Sequence, residues 1–546
     1  MASDHKIETA KDIVCELGYS KLLLALCSTL VLLILFAVYT PLFYGPAEFS
    51  GDDDYFIVNN TRVHSLTPQS LTDIWTKPTK SEYFPVTIFS YAVDYAFGGL
   101  NPRIFRLTNL IILFLIGLAS FSISVRLNHD YRGGRNVVIV AALASFFILL
   151  HPTNVESVSS PSHRKELLYA LFGLLAVRSY LVSRDTAGYL TTLFLVVLAQ
   201  LSKGTAVILP VLFLLYDLSY WKDRGLFKKR LPFLVSCFFA VGVIFSYQYS
   251  IALKAGVVET GPLSWGSRAG GIARTANAAI ENMLLPVNLT YQYDLKWPLS
   301  LNVGQEWILP VLLALAAAYL ISKRPRYFFP VMLILVPFLP YSNFIPLKHG
   351  MTGQMTFYDH YLLFSCFAAT PLLTGLGLSA AALPLKRVLL MALSVCLLIM
   401  AVYDNRLADH WKTRETLYLH TIEVSPEQSR SYVFLGQAYI DAGRYDDAIF
   451  WLKKGLATEQ GASDPEFYQL LGDAFAFSER YPQAESYYKR HLVHKKNDLK
   501  TLQNLSSTLI MLGKKEEAKE MIARWLELSP GDPAAAENLR TLDKLK

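Results

Sequence analysis

The chain has 546 residues, of which 53% are hydrophobic and 17% charged, with a formal net charge of +7. Its apolar residues gather in runs long enough to cross a bilayer up to about Tyr403, whereas the last roughly 140 residues are polar. This distribution excludes a single soluble globule, and equally a disordered, collagenous or disulfide-stapled chain. The five cysteines, Cys15, Cys27, Cys237, Cys366 and Cys396, contain no CxxC pair and no metal-ligand spacing. The positive charge bears first on topology, because membrane proteins concentrate Lys and Arg in cytoplasmic loops.

In chain order the apolar runs predict about eleven crossings, at residues 20–43, 104–125, 136–151, 166–183, 187–202, 204–221, 231–251, 306–322, 327–342, 356–379 and 388–404. Alternate connections hold Arg126, Arg132 and Arg135, then Arg178 and Arg184, then Lys222 to Arg230, Lys323 to Arg326, and Lys386 with Arg387. These short basic loops read as cytoplasmic, which puts the N-terminus inside and the C-terminal domain outside. The first run exceeds a signal-peptide core and is expected to be a retained helix. Residues 264–286, with Arg268, Arg274, Asn277 and Glu281 on an Ala-rich stretch, are too polar to cross and are expected along the outer interface.

After residue 429 the sequence repeats with a period of 34 to 36 residues, the length of a tetratricopeptide helix pair. The first unit (about 429–462) reads Tyr432, Leu435, Gly436, Tyr439, Ala448, Leu452, and the second (465–498) Tyr468, Leu471, Gly472, Phe475, Ala484, Tyr488. The third (499–532) reads Leu502, Leu505, Ser506, Leu509, Ala518, Ile522. Trp411 to Pro426 resembles the second helix of an incomplete repeat. Small residues are expected where two helices touch, and the stack either binds a peptide or serves as scaffold. The expected organisation is all-α: a membrane domain at 1–404 with a long first outer loop at 44–103, then an α-solenoid at 405–546.

No Walker loop, dinucleotide fingerprint, HExxH or nucleophile elbow is present. The first outer loop opens with Gly51-Asp52-Asp53-Asp54-Tyr55. Three adjacent carboxylates repel, so one can hold a raised pKa and act as a base while another orients an acceptor; the alternative is a solvated acidic turn. Further polar groups fall at the outer ends of runs: His151 and Glu156, Arg164 and Lys165, Lys203, Tyr291 and Asp294, Lys348 and His349, and Asp359 with His360. Singly each reads as an anchor or cap. Acids and cations on one membrane face together suit a substrate with a lipid tail and a phosphate at headgroup level.

Asp52-Asp53 followed by Phe56-Ile57-Val58-Asn59-Asn60, then Tyr83-Phe84-Pro85-Val86-Thr87, Asp94-Tyr95, Gly99-Leu100-Asn101-Pro102 and Leu107-Thr108-Asn109, resembles the first loop and second span of the TMTC-type O-mannosyltransferases and their bacterial relatives. These are GT-C glycosyltransferases with tetratricopeptide repeats. His151-Pro152 to Glu156-Ser157-Val158 with Arg164-Lys165-Glu166-Leu167-Leu168 is similar to their HPxHxEAV and GRxDxL segment, and Leu201-Ser202-Lys203-Gly204, Pro340-Tyr341-Ser342-Asn343 and Asp359-His360-Tyr361 match later signatures. Asn154 stands where the pattern has its second His, Ser162-His163 where a Gly is common, and the repeat array is short.

The resemblance implies a GT-C fold, a polyprenyl-phosphate sugar donor and a single displacement onto a protein Ser or Thr hydroxyl bound by the repeats. It assigns proton removal to Asp53, with Asp52 as helper or alternative, and the departing phosphate to Arg164, Lys165, Lys203 and His360. His151, Glu156, Asp359 and Asn59 are expected to border the sugar or acceptor. The chemistry requires no metal, although clustered acids can hold Mg²⁺ or Mn²⁺. A bacterial inner membrane is the expected location, with the ER membrane as alternative. Two other readings compete: a membrane-anchored scaffold without enzymatic activity, and a transporter of lipid-linked substrates.

Overall fold

The computed structural model describes residues 21–129, 135–219, 224–256, 265–293, 303–342, 357–380 and 386–544. The expected groups Asp294, Asn343, Lys348 and His349 lie outside them. The chain divides into two compact units. The first extends to Thr413, past residue 404, because the helix that begins at Lys386 runs on to His410. The second holds the helices from Arg414 onward with a short stretch around Tyr291.

In the first unit, α1 (Lys21–Val38) leads into a first loop that is folded. Phe49, Phe56, Ile57, Val63, Ile74, Phe84, Ile88, Tyr91 and Phe105 form one buried cluster, contributed by the loop, by α2 (Pro68–Thr76) and α3 (Pro85–Gly98), and by the start of α4 (Pro102–Asn128). Arg62 holds the loop across its width, donating to the carbonyls of Asp73 and Lys77 and to the Thr79 hydroxyl. Helix α4 starts where Asn101 caps the N–H of Arg103 and Pro102 presets the first turn.

Next come α5 (Arg135–Leu149), the short α6 (Asn154–Ser159), α7 (Arg164–Val182) and α8 (Thr186–Ser202). Lys203, in extended conformation, ends α8, and a 3₁₀ turn leads into α9 (Leu209–Ser219). Then follow α10 (Arg224–Lys254), α11 (Trp265–Leu284), the single turn α12 (Val303–Glu306), α13 (Ile308–Lys323) and α14 (Phe328–Phe338). Helix α11 falls on the stretch expected along the interface; it buries Ala273, Thr275 and Ala279, and Arg274 pairs with Glu306. The unit closes with α15 (Leu363–Ala368), α16 (Thr370–Ala380) and α17 (Lys386–His410).

All eleven apolar runs contain helix, but length and apolarity support fewer crossings. Among the described residues four helices qualify, Pro102–Asn128, Phe227–Lys254, Gly304–Lys323 and Arg387–His410, and the pair Asp359–Ala368 and Thr370–Ala380, bent by 50°, makes a fifth if it counts as one span. The other apolar helices, Leu22–Val38, Asn136–Leu149, Thr186–Ser202, Gly204–Ser219 and Pro325–Tyr341, are shorter, at 10–17 residues, and α7 carries charges. The exposed faces of the long helices are apolar: Leu312, Leu315, Leu398 and Ile399 are each more than half exposed, an arrangement that suits lipid and not water. The chain thus has the character of a multi-pass membrane protein.

The second unit consists of α18 (Arg414–Val424) and three antiparallel pairs: α19 (Ser429–Asp441) with α20 (Tyr445–Leu456), α21 (Glu466–Phe477) with α22 (Tyr481–His494), and α23 (Leu499–Met511) with α24 (Lys515–Leu528). A last helix, α25 (Pro533–Lys544), covers the final pair. The small residues sit at helix contacts, as their spacing predicts. A Cβ on Gly472 would come within 2.5 Å of the Tyr488 ring, and one on Gly436 would collide with Leu452.

Candidate functional site

Asp52 and Asp53 separate at a single turn. Gly51 has φ +58° and the Asp53 N–H donates to the Ser50 carbonyl at 3.2 Å, a tight turn that glycine enters without strain. Asp53 is fully buried. One carboxylate oxygen accepts the Ser50 N–H at 3.0 Å; the other accepts the Ser162 N–H at 2.7 Å and the Ser160 hydroxyl at 3.5 Å. Burial pushes its carboxyl up to about 6, against the downward pull of these donors and of Arg106. Asp52 is exposed, and its charge acts on Lys165 and Tyr361.

Arg164 and Lys165, adjacent at the start of α7, serve different neighbourhoods. The buried Arg164 guanidinium pairs with Asp94 and donates to the Asn109 side chain, the Phe105 carbonyl and the Ser90 carbonyl. It ties α7 to α3 and α4, and its donors are taken up by protein acceptors. Lys165 lies with its ammonium 3.1 Å from Glu82 and over the rings of Phe56 and Phe84. Lys203, at the break between α8 and α9, pairs with Glu166 and lies 4.9 Å from the centroid of Tyr341 and 5.4 Å from that of Tyr361. The two ammonium groups are within electrostatic reach of each other, and Glu82 feels both. The first loop thus brings Asp52 within electrostatic reach of Lys165 on α7, and Lys165 is in turn within reach of Lys203 at the α8–α9 break.

His360 belongs to a neighbouring, more acidic cluster. Its backbone N–H and its Nδ1 each lie 2.9 Å from the Glu156 carboxylate, and its Nε2 lies 3.7 Å from Glu166. Two carboxylates flank this ring, and the charges of Lys165 and Lys203 also reach it. Burial, with the charge of Asp359 nearby, pushes the Glu156 carboxyl above its usual range. Asp359 itself accepts a hydrogen bond from Asn282 at 2.6 Å. His163 stacks on His360 with centroids 3.9 Å apart, and burial pushes its imidazole down to about 3. Glu156, His163 and His360 place three ligand atoms within 4.8 Å of one another, a grouping able to hold a metal ion.

Two expected residues stand apart from these clusters. His151 is buried, with Nδ1 2.8 Å from the Thr153 hydroxyl and Nε2 3.1 Å from the Met283 carbonyl, so it joins the end of α5 to α11. Asn59 is exposed at the end of the turn Asp54–Val58, its N–H donating to the Asp54 carbonyl. Sequence reasoning missed Glu82, Glu166 and His163 as site residues. His163 and Glu166 flank the Arg164-Lys165 pair, which was a usable signal; Glu82 offered none, lying 83 positions from the lysine it pairs with.

The tetratricopeptide-repeat family matches residues 429–459 and 468–500. A protein O-mannosyl-transferase of Caenorhabditis elegans is 22% identical over 419 residues, covering 73% of this chain and 58% of the relative. Protein O-mannosyl-transferase TMTC4 of Mus musculus is 23% identical over 482 residues, 74% of this chain and 62% of the relative. The chain is a distant homologue of the protein O-mannosyl-transferases. It spans about three fifths of the length of these relatives. The solved structure of MamA is similar at 18% identity and a TM-score of 0.22, over 26% of this chain and 91% of that one. Where the chain departs from the HPxHxE pattern, Asn154 donates to the carbonyls of Ile148 and Leu149 and caps α5.

Proposed function

We propose that this chain is a membrane glycosyltransferase that moves a sugar, mannose by analogy with its relatives, from a polyprenyl-phosphate donor to a hydroxyl of a protein acceptor. The observation that carries this reading is an exposed acid, Asp52, within electrostatic reach of Lys165, which is itself within reach of Lys203, in a chain distantly similar to protein O-mannosyl-transferases. Asp52 removes the acceptor proton as the hydroxyl attacks the anomeric carbon, and the lipid phosphate departs toward the two lysines. In the resting protein Glu82 and Glu166 hold those lysines in place. Asp53 and Arg164 shape the site from behind, the first by closing the turn and the second by joining three helices. The shorter apolar helices lie in the bilayer with the long ones, and the site faces the non-cytoplasmic side, as the basic loops suggest. The repeats bind the acceptor protein, and tethering it to the same chain raises its local concentration.

The test is incubation of purified protein with mannosyl-phosphoryl polyprenol and candidate acceptor proteins, read by mass spectrometry. A mass increase of one hexose on Ser or Thr is the expected outcome. Donor flipping across vesicles without transfer favours a transporter, and neither activity leaves an anchored scaffold. Lys203→Ala is expected to weaken donor use mainly through KM; an unchanged dependence on donor concentration counts against its phosphate role.

A further inference from the structure

The transfer reaction leaves three converging buried side chains without a part: Glu156 on α6, His163 on the turn before α7, and His360 at the start of the bent segment. Glu156 Oε1 lies 2.9 Å from His360 Nδ1 and 3.7 Å from His163 Nδ1. Zinc–ligand bonds of about 2.0–2.2 Å at tetrahedral angles set donor–donor edges of roughly 3.3–3.5 Å, and the two observed edges bracket that value. At 3.7 Å the His163–Glu156 pair is too long for a good hydrogen bond, and His163 Nδ1 is buried without a hydrogen-bond partner. Among the described residues no lysine or arginine forms an ion pair with Glu156.

The surroundings also fit a ligated imidazole. The second nitrogen of His360 faces the Glu166 carboxylate at 3.7 Å, and Glu166 in turn accepts the Tyr341 hydroxyl at 3.1 Å. A carboxylate beside the outer nitrogen of a metal-bound histidine raises its basicity, and fixes its orientation where the pair closes to hydrogen-bond distance. We propose that Glu156, His163 and His360 form a binding site for a divalent transition-metal ion, with Zn²⁺ the best match. Two imidazole nitrogens and one carboxylate oxygen suit zinc, whereas Mg²⁺ and Ca²⁺ take oxygen ligands. Three protein ligands leave the fourth tetrahedral position to water or a substrate oxygen. The site rests on side-chain geometry and is independent of the transferase reading.

The experiment measures metal in the full-length protein, purified in detergent without chelator from zinc-supplemented cells, by inductively coupled plasma mass spectrometry. About one zinc per chain is expected, falling below about one tenth in Glu156→Gln and His163→Ala. Because those variants risk misfolding, wild-type protein stripped with a chelator is also titrated with ZnCl₂ by calorimetry, with saturation expected near one equivalent. Glu166→Gln is expected to weaken that affinity about 10–100-fold. Wild-type protein that neither carries nor takes up Zn²⁺, or folded variants that keep their zinc, overturns the proposal. No transfer activity is read, so failure of the glycosyltransferase assay does not alter this result.

Discussion

Replacing Asp52 by asparagine removes the exposed carboxylate of the Ser50–Asp53 turn and leaves the backbone of that turn intact. If Asp52 is the base, transfer falls about 10²–10⁴-fold with an unchanged melting temperature; wild-type turnover in D52N refutes the assignment. Asp53→Asn acts differently, because the amide turns an N–H toward one of the backbone N–H groups that the carboxylate accepts. It is expected to cost roughly 1–3 kcal/mol in unfolding measurements, through an unsatisfied buried donor. The pH dependence follows from the same residue. Its folded value of about 6 lies above the ordinary 3.8, so between those values the folded chain keeps a proton that the unfolded chain has lost. Stability therefore falls as pH rises from about 4 to about 6, by about 3 kcal/mol from this group, and then levels off. D53N should lose that slope. The sequence marked the acidic triplet but not which acid is sealed, because that depends on a turn and on Ser160 and Ser162, more than 100 positions away.

Among elements, the junction of α3, α4 and α7 hangs on one guanidinium. Arg164→Ala leaves Asp94 buried without its partner and is expected to cost about 3–5 kcal/mol, seen as a lower melting temperature or loss of folded protein. If Arg164 bound phosphate instead, the variant would keep its stability and lose donor affinity. In the repeats, Gly472→Val drives a branched side chain into Tyr488 and is expected to destabilise that pair by about 1–3 kcal/mol in thermal unfolding. The helices themselves were legible: apolar runs and a 34-residue period are imposed locally and repeat along the chain. Their ends were read less evenly: the break at Lys203 falls where the spacing divides two runs, whereas α17 runs past 404 to His410. The ion pairs of the site were not legible at all, because Lys165 with Glu82 and His360 with Glu156 join segments that no periodicity relates.

For the whole chain, the number and direction of crossings can be read chemically. In a cysteine-free background, Asn59→Cys and Arg184→Cys both place a thiol on an exposed residue, the first in the loop expected outside and the second in a basic loop expected inside. A membrane-impermeant maleimide applied to intact cells is expected to label the former and spare the latter until the cells are broken. Equal labelling of both removes the proposed topology. The buried cluster that runs from Phe49 through Ile74 to Phe105 also sets rules for anyone building hybrids with related transferases. That stretch shares one interior and is tied to α7 and the turn before it through Asp53, Glu82 and Asp94, so an exchange should carry it whole together with Ser162, Arg164 and Lys165. A crossover inside it would join half of one interior to half of another, and the misfit would show as poor expression before any question of catalysis arose.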